Sequence, residues 1–278
     1  MKPATAFCVG LLAAAALRAQ DWAPNLTLST TWNDNATNAD RSADRIAALQ
    51  TQADLLSTRR FDFGSSDSVS PEVHLATEWW PRFARLTTAS AGLAAGWEHK
   101  FGLGALAPVV SVDAAGDLVL AEEAGRRGAA ASVTLAVRQR FNDQWRGKLS
   151  QQFERLDAHA AVYDRRAAQT TAELSRDLDD VSRLTFAALW RAGDIVSYAT
   201  PPRPDLVALA PVRQTVDTFR RPLTAYSIDA HTLGGRAELV RAVAPESALI
   251  LAYEYRDSER GPLRYGNQLV SLTLVHQF

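Results

Sequence analysis

His74, His99, His159, His231 and His276 are the side chains of this 278-residue sequence best suited to proton transfer or metal ligation. None stands at a metal-ligand spacing such as i,i+2 with a carboxylate pair, and no HExxH motif occurs. The single cysteine, Cys8, lies in an apolar amino-terminal run, so the rest of the chain holds no disulfide and no thiolate metal site. A serine nucleophile needs a base within hydrogen-bond reach. Ser271 and His276 are close in sequence, but on one strand they point to opposite faces. The residues therefore offer no catalytic set, no metal and no cofactor, and the expectation is a protein that is not an enzyme.

The remaining polar chemistry is carried by charges placed at alternate positions. Formal net charge is −1, from 30 basic and 31 acidic residues, which gives no bulk attraction to nucleic acid. The chain is 47% hydrophobic, yet beyond residue 20 its apolar residues alternate with polar ones and form no run of the roughly 18 that a membrane helix needs. Val133, Leu135, Val137 and Phe141 oppose Thr134, Arg138 and Arg140. Leu184, Phe186, Ala188 and Trp190 oppose Arg183, Thr185 and Arg191. Leu249, Leu251, Tyr253 and Tyr255 face away from Glu254 and Arg256. Such strands have one apolar and one charged face.

The last strand is the sharpest of them. From Gly266 to the carboxy-terminal Phe278, Val270, Leu272, Leu274, His276 and Phe278 share one face, and Leu269, Ser271, Thr273, Val275 and Gln277 the other. At the other end, Met1-Lys2, the apolar run Ala4 to Leu17 and a small residue before Gln20 read as a secretory signal peptide over 1–19. An alternating final strand closed by a terminal aromatic resembles the last strand of bacterial outer-membrane β-barrels of the porin-like kind. The resemblance implies an outer-membrane location, contact with membrane lipid and lipopolysaccharide, and recognition of Phe278 by the barrel-assembly machinery. The expected fold is all-β, a closed antiparallel transmembrane barrel of about twelve strands over 20–278 with long outer loops; a closed sheet pairs every backbone amide in hydrocarbon.

Counting strands back from the end gives eleven clear ones, and a weak one at Arg59 to Gly64 makes the even number expected of such barrels. Asn33 to Ser57 is expected to be an outer loop carrying a short amphipathic helix, since Ile46, Leu49, Ala53 and Leu56 recur at helical spacing. Further outer loops are expected over Asp117–Gly128, Asp157–Ala167, the proline-rich Ile195–Thr224 and Asp257–Tyr265, with short Pro81–Leu86 among them. Shorter connections at Ser65–Ser70, Lys100–Pro108, Asn142–Gln144, Asp179–Val181 and Ala244–Ser247 fall on the other side. A bulge is expected near Gly234-Gly235.

Alternation then collects Glu78, Lys148 and Glu238 among the inward positions and assigns a lumen lining of Glu98, Asp113, Arg138, Arg140, Glu154, Glu173, Asp177, Arg183, Arg191, Arg236, Glu254 and Arg256. Trp79, Trp97, Trp145, Trp190, Tyr226, Tyr253, Tyr255 and Phe278 fit an aromatic girdle. The arginine pairs 59–60, 126–127, 165–166 and 220–221 fall beside outer loops, where their forked donors suit lipopolysaccharide phosphate. These features point first to a narrow passive channel for small polar or ionic solutes. Two other readings stand beside it. One is a structural or adhesive surface barrel with a closed lumen and partner-binding loops. The other is a lipid or lipopolysaccharide hydrolase like the outer-membrane phospholipases, although no Ser-His-Asn set matches theirs.

Overall fold

The computed structural model describes residues 22–278; the signal peptide expected over 1–19 lies outside them. In chain order the strands are β1 (Ala23–Asn33), β2 (Ala48–Thr58), β3 (Phe61–Phe63), β4 (Asp67–Trp79), β5 (Thr88–Lys100), β6 (Val109–Ala121) and β7 (Gly128–Arg140). They continue with β8 (Trp145–Ala158), β9 (Arg165–Asp177), β10 (Ser182–Ala199), β11 (Val212–Val216), β12 (Leu223–Ala244), β13 (Ser247–Arg260) and β14 (Leu263–Gln277). Among the described residues one short α-helix, α1 (Pro204–Leu209), precedes β11, and single 3-10 turns sit in four of the connections. Sequential strands pair antiparallel, β1 pairs with β14, and β10 pairs with β12, so the sheet closes into a twelve-strand antiparallel barrel. Closure leaves no wall strand with an open edge. Ala23 and Phe278 lie at one end, called here the terminus end; the opposite end is the loop end.

The twelfth stave is not the one expected from sequence. Residues 48–58 form β2, paired in register with both β1 and β4, where a helix-bearing loop was expected. Leu49, Ala53 and Leu56 satisfy a helical period, but Leu49, Thr51, Ala53 and Leu55 satisfy a strand period as well, and pairing on both sides decides between them. Arg59 to Gly64 is a continuation of this stave. The β2–β4 ladder runs to Thr58↔Glu72, breaks opposite Pro71, and resumes as Phe61↔Val69. Proline cannot donate to a ladder, and only its carbonyl takes part here, accepting from the Arg59 amide. Arg59-Arg60 consequently lies at the terminus end and not beside an outer loop.

Other boundaries move outward because pairing continues past the polar stretches. β6 runs to Ala121, so Asp117 is a strand residue and the connection is only 122–127; the next loop-end connection is 159–164. β13 and β14 meet in a tight turn at 261–262 in place of a long loop. Gly234 and Gly235 pair in register, and the irregularity in β12 falls between Ala242 and Ala244. Wall strands span 11 to 22 residues, most of them longer than the roughly 9–11 a tilted membrane strand needs, so most are long enough to project beyond a hydrocarbon slab.

The outer surface follows the alternation. Leu135, Val137, Phe186, Ala188, Leu249, Leu251, Leu272 and Leu274 are all exposed on it. Trp79, Trp97, Trp190, Tyr253, Tyr255 and Phe278 are exposed as well. Tyr226 departs from the expected girdle: it is buried, in a cluster with Leu206, Ile228, Leu263 and Tyr265. Turns at the terminus end are closed by side chains. The Asn142 carboxamide oxygen accepts from the amides of Gln144 and Trp145, and Asp179 accepts from Val181.

Candidate functional site

The barrel interior toward the terminus end holds a cavity of about 840 Å³. Charged side chains line it in place of an apolar core. Arg60, Lys100, Arg138, Arg140, Arg146, Lys148, Arg183, Arg236 and Arg256 face it, against Glu98, Glu173, Glu238 and Glu254. The lining reaches no higher than Gln169 and Leu189.

Of the residues assigned to the lumen from sequence, Glu98, Arg138, Arg140, Glu173, Arg183, Arg236, Glu254 and Arg256 line this cavity. Asp177 lies beside it, accepting from Arg183 at 2.7 Å and from Arg146. Glu154 and Arg191 lie above it, joined at 2.8 Å, with Arg165 at 3.4 Å from the same carboxylate. This ion-pair layer follows directly above the cavity, since Arg191 pairs with Gln169 across β10 and β9. Asp113 occupies the face of β6 that carries Val109, a cavity residue, and accepts from Ser111 at 3.3 Å. Lys148, inward by the alternation of β8, lines the cavity as expected, whereas Arg60, Lys100 and Arg146 line it without having been in the expected set. Arg146 shares a parity with Lys148, Ser150 and Gln152, so strict alternation carried one step further along β8 places it inward.

Most cations have a carboxylate. Arg138 meets Glu98 at 2.7 Å, Arg256 meets Glu254 at 2.5 Å, and Arg236 meets Glu238. Glu98 is shared with Arg60 at 3.2 Å. A different grouping occupies the opposite arc of the wall. Asp54, Glu72, Asp113 and Asp117 stand on β2, β4 and β6, where His74 bonds Asp117 through Nε2 and lies 3.9 Å from Glu72. The lumen is thus acidic along β2–β6 and richer in arginine and lysine along β7–β13.

One serine–histidine couple exists that the sequence did not suggest. Ser247 and His276 are cross-strand neighbours on β13 and β14, with Oγ and Nδ1 2.9 Å apart. The couple lies at the terminus end on the outer surface, and among the described residues no carboxylate bonds His276 to orient it.

The loop end is covered. β10 and β12 extend beyond the wall, past Gly193, whose φ of +140° marks a bend open to glycine. The edge of β10 then meets the β1–β2 loop: the Tyr198 amide donates to the Thr37 carbonyl, and the Asn38 carboxamide to the Val196 carbonyl. These segments are four staves apart around the wall, so the extension crosses the mouth. One apolar cluster joins Trp80, Phe83, Leu86, Tyr163, Tyr198, Phe219 and Leu223, with Ala36 and Ile46 packed against it, so four connections meet there; the Phe219 ring lies 5.0 Å from those of both Phe83 and Tyr198. Arg126 donates to Tyr198, Tyr163 donates to Glu123 at 2.5 Å, and Thr218 donates to the other oxygen of Glu123 at 2.9 Å. Burial pushes the Tyr163 phenol well above its ordinary range, with the Glu123 bond acting the same way, so it stays a donor.

α1 is tied down by Arg203, whose side chain is fully buried. Its guanidinium forks onto Asp40 at 2.8 and 2.9 Å and onto Asp205 at 2.6 Å. The Arg203 hydrogen bond holds the Asp205 carboxyl down at about 2. Burial alone would raise Asp40, but the bond and charge of Arg203 outweigh it and hold that carboxyl below its ordinary value. The arginine pairs are largely engaged within the protein. Arg126 and Arg165 are paired as above, Arg127 donates to the Ala121 carbonyl, and Arg221 donates to the Ala43 carbonyl and approaches Asp44.

No protein-family model matches the sequence, and none of the curated proteins matches it. Solved structures do. An outer membrane channel from Pseudomonas putida F1 superposes with a TM-score of 0.60 at 10% identity, covering 93% of this chain and 95% of that one. The KdgM porin, in complex with disordered oligogalacturonate, gives 0.49 at 9% identity over 91% of this chain and 99% of that one. The NanC porin gives 0.48 at 5% identity over 91% and 100%. At these identities the likeness is one of fold: the chain is a closed twelve-strand antiparallel barrel, and the Pseudomonas putida structure superposes on it over nearly its whole length.

Proposed function

We propose that the protein is a narrow passive channel of a bacterial outer membrane for small polar or ionic solutes, with its lumen constricted by the loop-end cover. The observation that carries this reading is the charged cavity of about 840 Å³ in the barrel interior. A barrel serving only as a scaffold gains nothing from burying charge, because desolvation costs several kcal/mol per ion before pairing returns it. The acidic and basic arcs give a transverse field that can orient and select an ion in passage. Recording from the refolded protein in planar bilayers tests it: small discrete current steps are expected. Absence of current, both in the wild type and after the cover is removed, would leave the channel reading without support.

The membrane setting has its own test. Leu251 is exposed at mid-strand on the outer face, opposite Leu272. Changing Leu251 to Arg is expected to cost roughly 2–4 kcal/mol of folding stability in lipid vesicles. Unchanged stability would mean that this face does not meet hydrocarbon. Phe278 lies exposed at the terminus end with its amide on the Pro24 carbonyl, a position open to assembly factors.

A second reading is favoured by the cover itself. Two apolar clusters and a fully buried arginine are an extensive structure for a simple pore mouth, and a closed surface barrel whose loop end docks a partner would need them. Solute-swelling of proteoliposomes separates the two: a closed barrel admits nothing.

A further inference from the structure

We propose that Arg138, Arg140, Arg146 and Lys148 form a binding subsite for a small multivalent oxyanion, at the terminus-end entrance of the lumen. The inference rests on the channel reading for its meaning but not for its geometry. Arg138 stands directly opposite Lys148, and Arg140 directly opposite Arg146, in the β7–β8 ladder. All four face the cavity. Like charges placed opposite one another across strands are destabilising, and here two such pairs are consecutive.

The surrounding carboxylates do not neutralise the block. Glu98 is divided between Arg138 and Arg60, and Asp177 between Arg146 and Arg183. Lys148 lies 3.9 Å from Glu173, beyond hydrogen-bond distance. Arg140 bonds only a backbone carbonyl, that of Asp143, at 3.1 Å. The block therefore keeps donors aimed at the cavity and a surplus of positive charge that an oxyanion would relieve. Forked guanidiniums flanking an ammonium suit a solute with two or more anionic oxygens, such as a phosphate or a dicarboxylate. A monovalent halide brings one charge and no separated oxygens, so it neutralises less of the block and cannot match the forks.

The test is calorimetric titration of the refolded wild-type protein at low ionic strength with inorganic phosphate, with succinate and with chloride. Phosphate or succinate should bind at one site and chloride should not, and whichever binds names the headgroup preferred. The double variant Arg140→Gln/Lys148→Gln should weaken that binding about tenfold or more. Glu98→Gln, which releases Arg138 and Arg60, should tighten it. The two variants move in opposite directions, so a general loss of fold cannot imitate the pattern. Absence of binding by both polyvalent anions, or affinities unchanged in the variants, would overturn the subsite. Binding without bilayer current, in the wild type and after the cover is removed, would keep the subsite and refute the channel, whereas current without binding would do the reverse.

Discussion

Replacing residues 195–228 by a two-residue glycine turn is expected to raise single-channel conductance at least about threefold. The excised segment is the part of β10 and β12 that leaves the wall, together with α1 and β11. Asp194 and Asp229 are cross-strand partners, so a tight turn can join them, and β10 would retain a length similar to that of β5 and β6. The excision removes Tyr198, Phe219 and Leu223, the centre of the cluster that draws four connections together. It also removes Arg203 and the helix it anchors. The ion-pair layer of Arg191, Glu154 and Arg165 remains, so the enlarged current would still show ionic selectivity. Planar-bilayer recording of both proteins measures this, and equal conductance would show that the extension does not obstruct the path.

Changing Arg203 to Ala is the second large perturbation. The substitution leaves Asp40 and Asp205 facing one another without the cation that both now share. Breaking a buried pair by removing one partner costs about 3 kcal/mol, here drawn from the stability of the cover and not of the barrel. Amide exchange across 199–216 should accelerate while exchange in β5 to β8 stays constant. Arg203→Lys should restore little, because an ammonium cannot fork onto two carboxylates. The same lock sets an acid limit. Asp205 is held down at about 2 from an ordinary 3.8, and Asp40 is lowered as well. A depressed carboxyl contributes stability that is complete above its ordinary value and is lost as pH falls through its folded value. The cover should therefore be indifferent to pH near neutrality and loosen only between about pH 4 and about pH 2. Loosening already near pH 6 would show that some other group holds it.

How far the sequence reveals this arrangement depends on how locally each part is encoded. β7, β13 and β14 are legible because Leu135 and Val137, Leu249 and Leu251, and Leu272 and Leu274 contrast sharply with the polar residues between them. Alternation also carries the inward assignment of Arg138, Arg183, Arg236 and Arg256, since parity alone decides which face a side chain takes. β2 is illegible for the complementary reason. Gln50, Thr51, Gln52, Ala53 and Asp54 show little contrast, and only their partners on β1 and β4 fix them as a strand. Polar stretches at the strand tops mislead similarly: Asp257 to Arg260 continues to pair with β14 because nothing in a strand outside hydrocarbon needs to be apolar. The cover lies furthest from the sequence. Tyr198 with Arg126, and Arg203 with Asp40, join residues separated by long stretches of chain, and no local pattern announces either contact.

Passage of ions through the charged lumen can be measured directly, because the described residues contain no cysteine and a single one can be introduced as a reporter. Ala187 faces the cavity from β10, beneath the ion-pair layer. A protein carrying Ala187→Cys is recorded in a planar bilayer while a membrane-impermeant anionic thiol reagent is added to one side and then the other. The current should fall on modification, with faster reaction from the side of the terminus end, where the basic entrance gathers anions. Complete modification that leaves the current unchanged would contradict this, because the ions would then be crossing somewhere other than the lumen.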